Sequence, residues 1–164
     1  MNTHDSLKFH GYFETQVGDG PWVRDNNLVV NEGILYLINT GLASGSASTI
    51  FYIAPFGGNV TPGATWTAAN FTANSTEFTN YTEAVRQTWQ KDAAAANAIG
   101  NTTTPATFTI NTGGGTVRGA GLISVSTKSG TTGVLIAAAR FDADKVLTVG
   151  EELRVKYTLT GTSS

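Results

Sequence analysis

Residues 111–127 read "NTGGGTVRGAGLISVST", and two architectures compete for this stretch. A glycine run ending in an arginine can be a loop that cradles a phosphate between a strand and a helix. It can also be a turn that feeds a β-strand. Gly114 and Gly119 match the spacing G-x-x-x-x-G. A phosphate loop then continues with Lys and with Ser or Thr, whose ammonium and hydroxyl hold the phosphates and magnesium. Here Ala120 and Gly121 follow, and "LISVST" has the two-residue period of a strand. The strand–helix–strand unit of a dinucleotide fold is not visible around it. The stretch therefore reads as strand punctuation. Gly119 and Gly121 mark a bend or a close backbone approach, and Val117, Ile123 and Val125 are expected on one face.

The neighbouring segments agree with a β-rich chain. In "PATFTIN" (105–111), Ala106, Phe108 and Ile110 share a face. "GVLIAAARFD" (133–142) is small and apolar on both faces, the pattern of a central strand. "ELRVKYTLT" (152–160) alternates, with Leu153, Val155, Tyr157 and Leu159 inward and Arg154, Lys156, Thr158 and Thr160 outward. "TIFYIAPF" (49–56) is an aromatic strand closed by Gly57 and Gly58, and "KFHGYFETQ" (8–16) sets Phe9, Gly11 and Phe13 opposite His10 and Tyr12. One helix is expected in "DNNLVVNEGILYLINTG" (25–41). There Val30, Ile34 and Leu37 form a stripe widened by Leu35 and Ile38, Asp25, Asn26 or Asn27 caps the start, and Gly41 sits past the end. Residues 59–92 read as one or two strands with long loops, and "AAAANAIGN" (93–101) as either helix or irregular chain.

Together these predict a mainly β protein: a single antiparallel β-sandwich or barrel, Greek-key or jelly-roll-like, with one short helix near residues 27–39. Residues 1–21 are an N-terminal strand or arm, and residues 22–164 the sandwich domain.

Composition narrows the function. The chain has 164 residues, 10 basic against 12 acidic, enough for one domain with a core. This balance lacks the cationic field that a nucleic-acid binder needs. Charged residues make up 13%, about half the usual share of roughly 25%, leaving a skin of neutral polar groups. No cysteine is present, which removes disulfides, thiolate metal sites and a cysteine nucleophile. No apolar stretch approaches the roughly 20 residues of a membrane-spanning helix. "MNTHDSLKFHGYFET" lacks the basic and apolar regions of a signal peptide, so a soluble protein made in a cytoplasm is expected. Asn70-Phe-Thr72 and Asn80-Tyr-Thr82 then reflect composition, not glycosylation.

Candidate chemistry is sparse. His4 and His10 are the only histidines, and a metal site would need Asp5 and Glu14 at no recognisable spacing. Asp142 and Asp144 lack the remaining ligands of a calcium loop and read as a charged turn. Glu77, Glu83, Glu151 and Glu152 could pair as glycosidase carboxylates do, but their spatial pairing is not readable from the chain. Trp22, Trp66 and Trp89 could stack on sugars or pack in a core. No nucleophile–base pair stands out, so the expectation is a protein that is not an enzyme, with no cofactor and no metal.

The segments "WVRDNNLVVNEGILYLINTG", "IFYIAPF", "TEFTNYTEAVRQTW", "ATFTINTGGGTVRGAGLIS" and "ARFDADKVLTVGEELRVKYTLT", in this order, resemble small structural proteins of tailed bacteriophages. The resemblance covers residues from about 22 to 160. It implies a head decoration or cement protein bound to the outside of the major capsid lattice. Its partners would be the major capsid protein and itself, as a homotrimer or, second, a dimer. The rival is a tail- or fibre-associated module that binds host-surface glycans. The residues expected at the interface are Phe9, Tyr12, Phe13, Trp22, Trp66 and Trp89. The location implied is the virion surface, with no nucleic-acid or membrane partner.

Overall fold

The computed structural model describes residues 6–111 and 113–163. His4 and Asp5 lie outside the described residues. Two antiparallel sheets face each other without closing into a barrel, so the sandwich and not the barrel is the fold. The first sheet centres on β1 (Leu7–Val17) and β10 (Glu152–Ser163), paired from Leu7↔Ser163 to Val17↔Leu153. β2 (Val23–Asn26) flanks β1, while β6 (Ala98–Gly100) and β7 (Ala106–Thr109) share the far edge of β10. Residues 7–17 are thus a sheet strand along their whole length.

The second sheet runs β3 (Leu28–Val29), β9 (Leu135–Leu147), β8 (Gly115–Ile123), β4 (Tyr52–Phe56) and β5 (Gln87–Thr88). β9 lies inside it, as its two-sided apolar sequence predicts. The core between the sheets takes Phe13, Phe108, Leu153, Val155 and Tyr157 from the first, and Ile53, Val117, Leu122 and Phe141 from the second. A smaller core lies on the outer face of the second sheet, where Phe56, Trp66 and Phe71 meet edge to face at 6.2–6.3 Å between ring centroids.

The glycines of residues 111–127 are explained by this second core. A Cβ on Gly119 would stand 2.1 Å from Phe56 Cζ and 2.2 Å from the Ala139 carbonyl oxygen. One on Gly121 would stand 2.7 Å from Phe71 Cε2. These residues are glycine because aromatic rings lie flush on the strand. The face assignment differs from expectation. Between the pairs Val117↔Lys145 and Gly119↔Arg140 one residue of β8 stands opposite four of β9, an irregularity across which the alternation of β8 reverses. Val117 therefore shares the inter-sheet core with Ala120 and Leu122, while Ile123 points into the outer core.

The helix also departs from expectation. α1 spans Asn31–Leu42, with Val30 as N-cap and no side-chain cap. Asp25, Asn26 and Asn27 are unavailable because residues 23–29 are drawn into β2 and β3. Buried Asp25 accepts the Asp142 N–H at 2.7 Å, and Asn27 donates to the Tyr157 hydroxyl at 3.0 Å. Gly41 lies inside the last turn. A second helix, α2 (Ala68–Ser75), occupies a segment that reads as strand or loop. It opens on a capping box between Thr67 and Asn70, an Asn variant of the usual Ser/Thr-x-x-Glu signature. "AAAANAIGN" is a tight hairpin: Ala95 and Ala98 exchange both backbone hydrogen bonds at 2.9 Å, and Ala96 and Asn97 have φ of 50° and 60°, the geometry of a type I′ turn.

Candidate interaction surface

α1 closes one end of the sandwich, and Glu32 positions it. The Glu32 carboxylate accepts the Leu135 N–H at 2.7 Å and the Ala68 N–H at 2.8 Å, tying α1 to β9 and to the first turn of α2. That placement also suits the partial positive charge of the α2 N-terminus. Gly33 allows the contact, since a Cβ there would lie 2.2 Å from the Ile136 carbonyl oxygen. Ile34 and Tyr36 reach the inter-sheet core. Leu35, Ile38 and Leu42 do not, and are 59%, 45% and 86% exposed. The apolar stripe of α1 is wider than one sheet contact can cover, and the excess forms a ridge facing solvent.

Beneath α1 lies a cavity of about 350 Å³ bounded by Tyr36, Leu37, Phe51, Trp89, Ile99 and Leu159, with Ser48, Thr49 and Lys91 at its mouth. Lys91 Nζ donates to the Thr49 carbonyl at 2.6 Å. On the other side of α1 a second apolar groove runs against Leu7, Lys8, Phe9 and His10.

The residues expected at an interface separate into two groups. Phe13 is fully buried, 4.6 Å from the Tyr157 ring. Trp66 belongs to the outer core, and Trp89 is buried and donates its indole N–H to the Tyr157 carbonyl at 3.0 Å. These three are packing residues, fixed by the strand alternation and by the outer core that the sequence does not announce. Phe9, Tyr12 and Trp22 are half-buried. Tyr12 carries the Arg24 guanidinium 3.7 Å over its ring, and Trp22 the Lys156 ammonium at 3.9 Å, contacts typical of aromatic faces at a wet surface. Leu35, Ile38 and Leu42 are exposed on α1, as Leu7, Val146 and Val149 are elsewhere; the over-wide stripe of α1 is the sequence feature that marks Leu35 and Ile38.

The candidate carboxylates are committed elsewhere. Glu77 forms a two-pronged ion pair with Arg86, both side chains being fully buried. It also accepts Thr72 Oγ1 and the Ser129 N–H. Glu83 accepts the Thr109 N–H through both oxygens, at 3.1 and 3.2 Å. Glu151 accepts the backbone and hydroxyl of Thr148, which hold its carboxyl below the usual range, and Glu152 pairs with Arg154. Asp142 and Asp144 are not in a turn: they lie within β9. Burial acts to raise the Asp144 carboxyl, but hydrogen bonds from Arg140 at 2.7 Å and Arg118 at 2.9 Å outweigh it and hold it low. His10 is exposed on β1. Among the described residues, no three His, Cys, Asp or Glu side chains are grouped to hold a metal ion, and no helix is long and apolar enough to cross a membrane.

Fold and surface together define a class: a two-sheet antiparallel β-sandwich with a helical cap and an apolar ridge at one end. No protein family and no curated protein matches the chain.

Proposed function

We propose that this protein is a structural component of a bacteriophage particle that binds the outer surface of the capsid lattice and stabilises the head. The observation that carries the reading is the ridge of Leu35, Ile38 and Leu42 on a helix whose other face packs against the core. Exposed apolar clusters with polar surroundings mark contact surfaces, and the sparse charge of the remaining surface suits contacts with little salt dependence. The candidate carboxylates Glu77 and Glu83 serve internal hydrogen bonds, in keeping with a protein that acts by attachment and not by catalysis. Assembly as a homotrimer, or as a dimer, would multiply weak contacts into stable attachment. The rival reading, a tail module that binds host glycans, retains only Trp22 of its three tryptophans at the surface.

Immunogold labelling of intact particles with antibody against the chain tests the proposal. Gold spread evenly over heads is the expected result. Gold at the tail favours the glycan reading, and unlabelled particles with soluble chain overturn both.

A further inference from the structure

The groove beside β1 has an unusual combination of walls. β10 pairs with one edge of β1 from Leu7 to Val17, but β2 covers the other edge only from Tyr12 to Thr15. Gly11 is the last residue bonded on that second edge, its carbonyl accepting the Asn27 N–H at 3.2 Å. Backbone groups alternate between the two edges of a strand every residue. The N–H and C=O groups of Leu7 and Phe9 therefore point, like those of Gly11, to the edge without a strand. Among the described residues no ladder partner covers them. An open edge of this kind is satisfied by another extended backbone.

The side chains say which one. The groove, about 620 Å³, has Ile34 and Ile38 of α1 as its far wall. On the inward face Leu7 and Phe9 join those two isoleucines. On the outward face stand Lys8 and His10; Glu14, the acidic residue further along that face, already pairs with Arg24 at 3.4 Å. α1 stands opposite the open edge, so a second sheet entering by its edge would carry its own neighbours into the helix. A lone strand meets no such obstacle. Four edge residues give it a footing of about 13 Å.

We propose that this groove accepts one extended segment of a partner chain, adding it as a strand beside β1, with residues that alternate apolar and acidic. The apolar ones meet Leu7, Phe9, Ile34 and Ile38, and the acidic ones meet Lys8. The inference stands on the open edge and the groove alone and does not depend on the particle reading above.

The probe is a fluorescein-labelled octapeptide of alternating valine and glutamate, titrated onto the full chain by fluorescence anisotropy at low salt. Two controls accompany it: valine alternating with lysine, and the acidic peptide N-methylated at alternate residues. Saturable binding of the acidic peptide is expected, at least about tenfold tighter than the basic one, and lost on N-methylation. Lys8→Glu should reverse the charge preference. Ile38→Asp, at a position 45% exposed, should abolish binding while far-UV circular dichroism and Tm stay unchanged. No binding of the acidic peptide up to about 1 mM overturns the proposal. So does binding indifferent to N-methylation or to Ile38→Asp. A dimer in sedimentation equilibrium that Ile38→Asp dissociates also overturns it, because a second copy would then be the occupant.

Discussion

Arg86 and Glu77 face each other with neither side chain exposed, Nη2 to Oε2 at 2.6 Å and Nε to Oε1 at 2.9 Å. Two further donors of Arg86 reach the Val125 and Gly130 carbonyls at 3.0 and 3.2 Å. One ion pair thus links the segment after α2, the end of β8 and the β8–β9 connection. Removing either charge leaves the other buried without a partner, at about 3–5 kcal/mol. Glu77→Gln and Arg86→Met should each lower stability by that amount in urea denaturation. The double change Glu77→Gln with Arg86→Met should cost less than the sum of the two, since no orphan charge remains. An additive double mutant would show that the pair is not coupled.

Two glycines should respond with opposite signs. Gly119→Ala drives a methyl into Phe56 and the Ala139 carbonyl and should cost about 2–3 kcal/mol or more. Gly41 has nothing within 4 Å of an added Cβ and lies in the last turn of α1. Gly41→Ala should therefore stabilise by about 0.5–1 kcal/mol. Thermal denaturation of the two variants checks both signs.

Phe9 and Phe13 occupy the same face of β1 at different depths. Phe13→Ala should cost about 3–5 kcal/mol as a full cavity in the core. Phe9→Ala, at a half-buried position, should cost about 1–2 kcal/mol. Equal losses would mean that β1 is as tightly packed at Phe9 as at Phe13.

Alkaline pH should reveal the two buried tyrosines. Burial raises the phenols of both Tyr81 and Tyr157 well above the ordinary value of 10.0. At Tyr81 the nearby Glu77 charge adds to the rise; at Tyr157 the Asn27 hydrogen bond opposes it. A raised folded-state value means that the native chain holds these protons more tightly than the unfolded one. That stability is fully present below pH 10 and is lost as the pH rises through the folded values. Tyr81→Phe should flatten the alkaline limb at little cost at neutral pH, because the Tyr81 hydroxyl is buried with no hydrogen-bond partner. Tyr157→Phe should flatten it too, but loses the bond from Asn27 and should cost about 1 kcal/mol at neutral pH. Denaturant midpoints between pH 7 and 11 would register both.

The ridge itself can be tested with Leu35, Ile38 and Leu42 changed together to Ser. These side chains are exposed, so the folded domain should keep its stability to within about 1 kcal/mol. Attachment to purified particles should fall sharply. Undiminished attachment would place the contact surface elsewhere.

What was readable in the sequence follows from how local each cause is. β10 and β7 carry unbroken patterns, so their faces appear directly in the residues; β9 is legible only in its apolar first half, because Asp142 and Asp144 give its second half the look of a turn. β8 carries no unbroken pattern, because its irregularity at Val117–Gly119 is set by pairing with β9 and reverses the parity from Gly119 onward. α2 is hidden because it is only eight residues long and its three alanines are offset by Asn, Thr and Ser, and a tertiary bond to Glu32 holds its first turn. Trp66 and Trp89 look like surface aromatics only until the outer core and the Tyr157 carbonyl are known. Glu77 and Arg86 stand nine residues apart in an unremarkable polar run, and nothing local announces that both are buried. The excess width of the α1 stripe was present in the residues; its exposure became evident only once β9 had covered the other side.

The ladder between β1 and β10 also governs how the chain reaches its native state. During synthesis β1 emerges early, and its principal partner follows roughly 135 residues later, a wait of about 7–30 s at ordinary elongation rates. For that interval Phe9 and Phe13 have no β10 to cover them. The second sheet, with its β8–β9 hairpin closed over a short connection, can form first and serve as a template. Joining strands so far apart in sequence is a step that topology makes slow, and until it happens the edge of β1 is open to pairing with other chains.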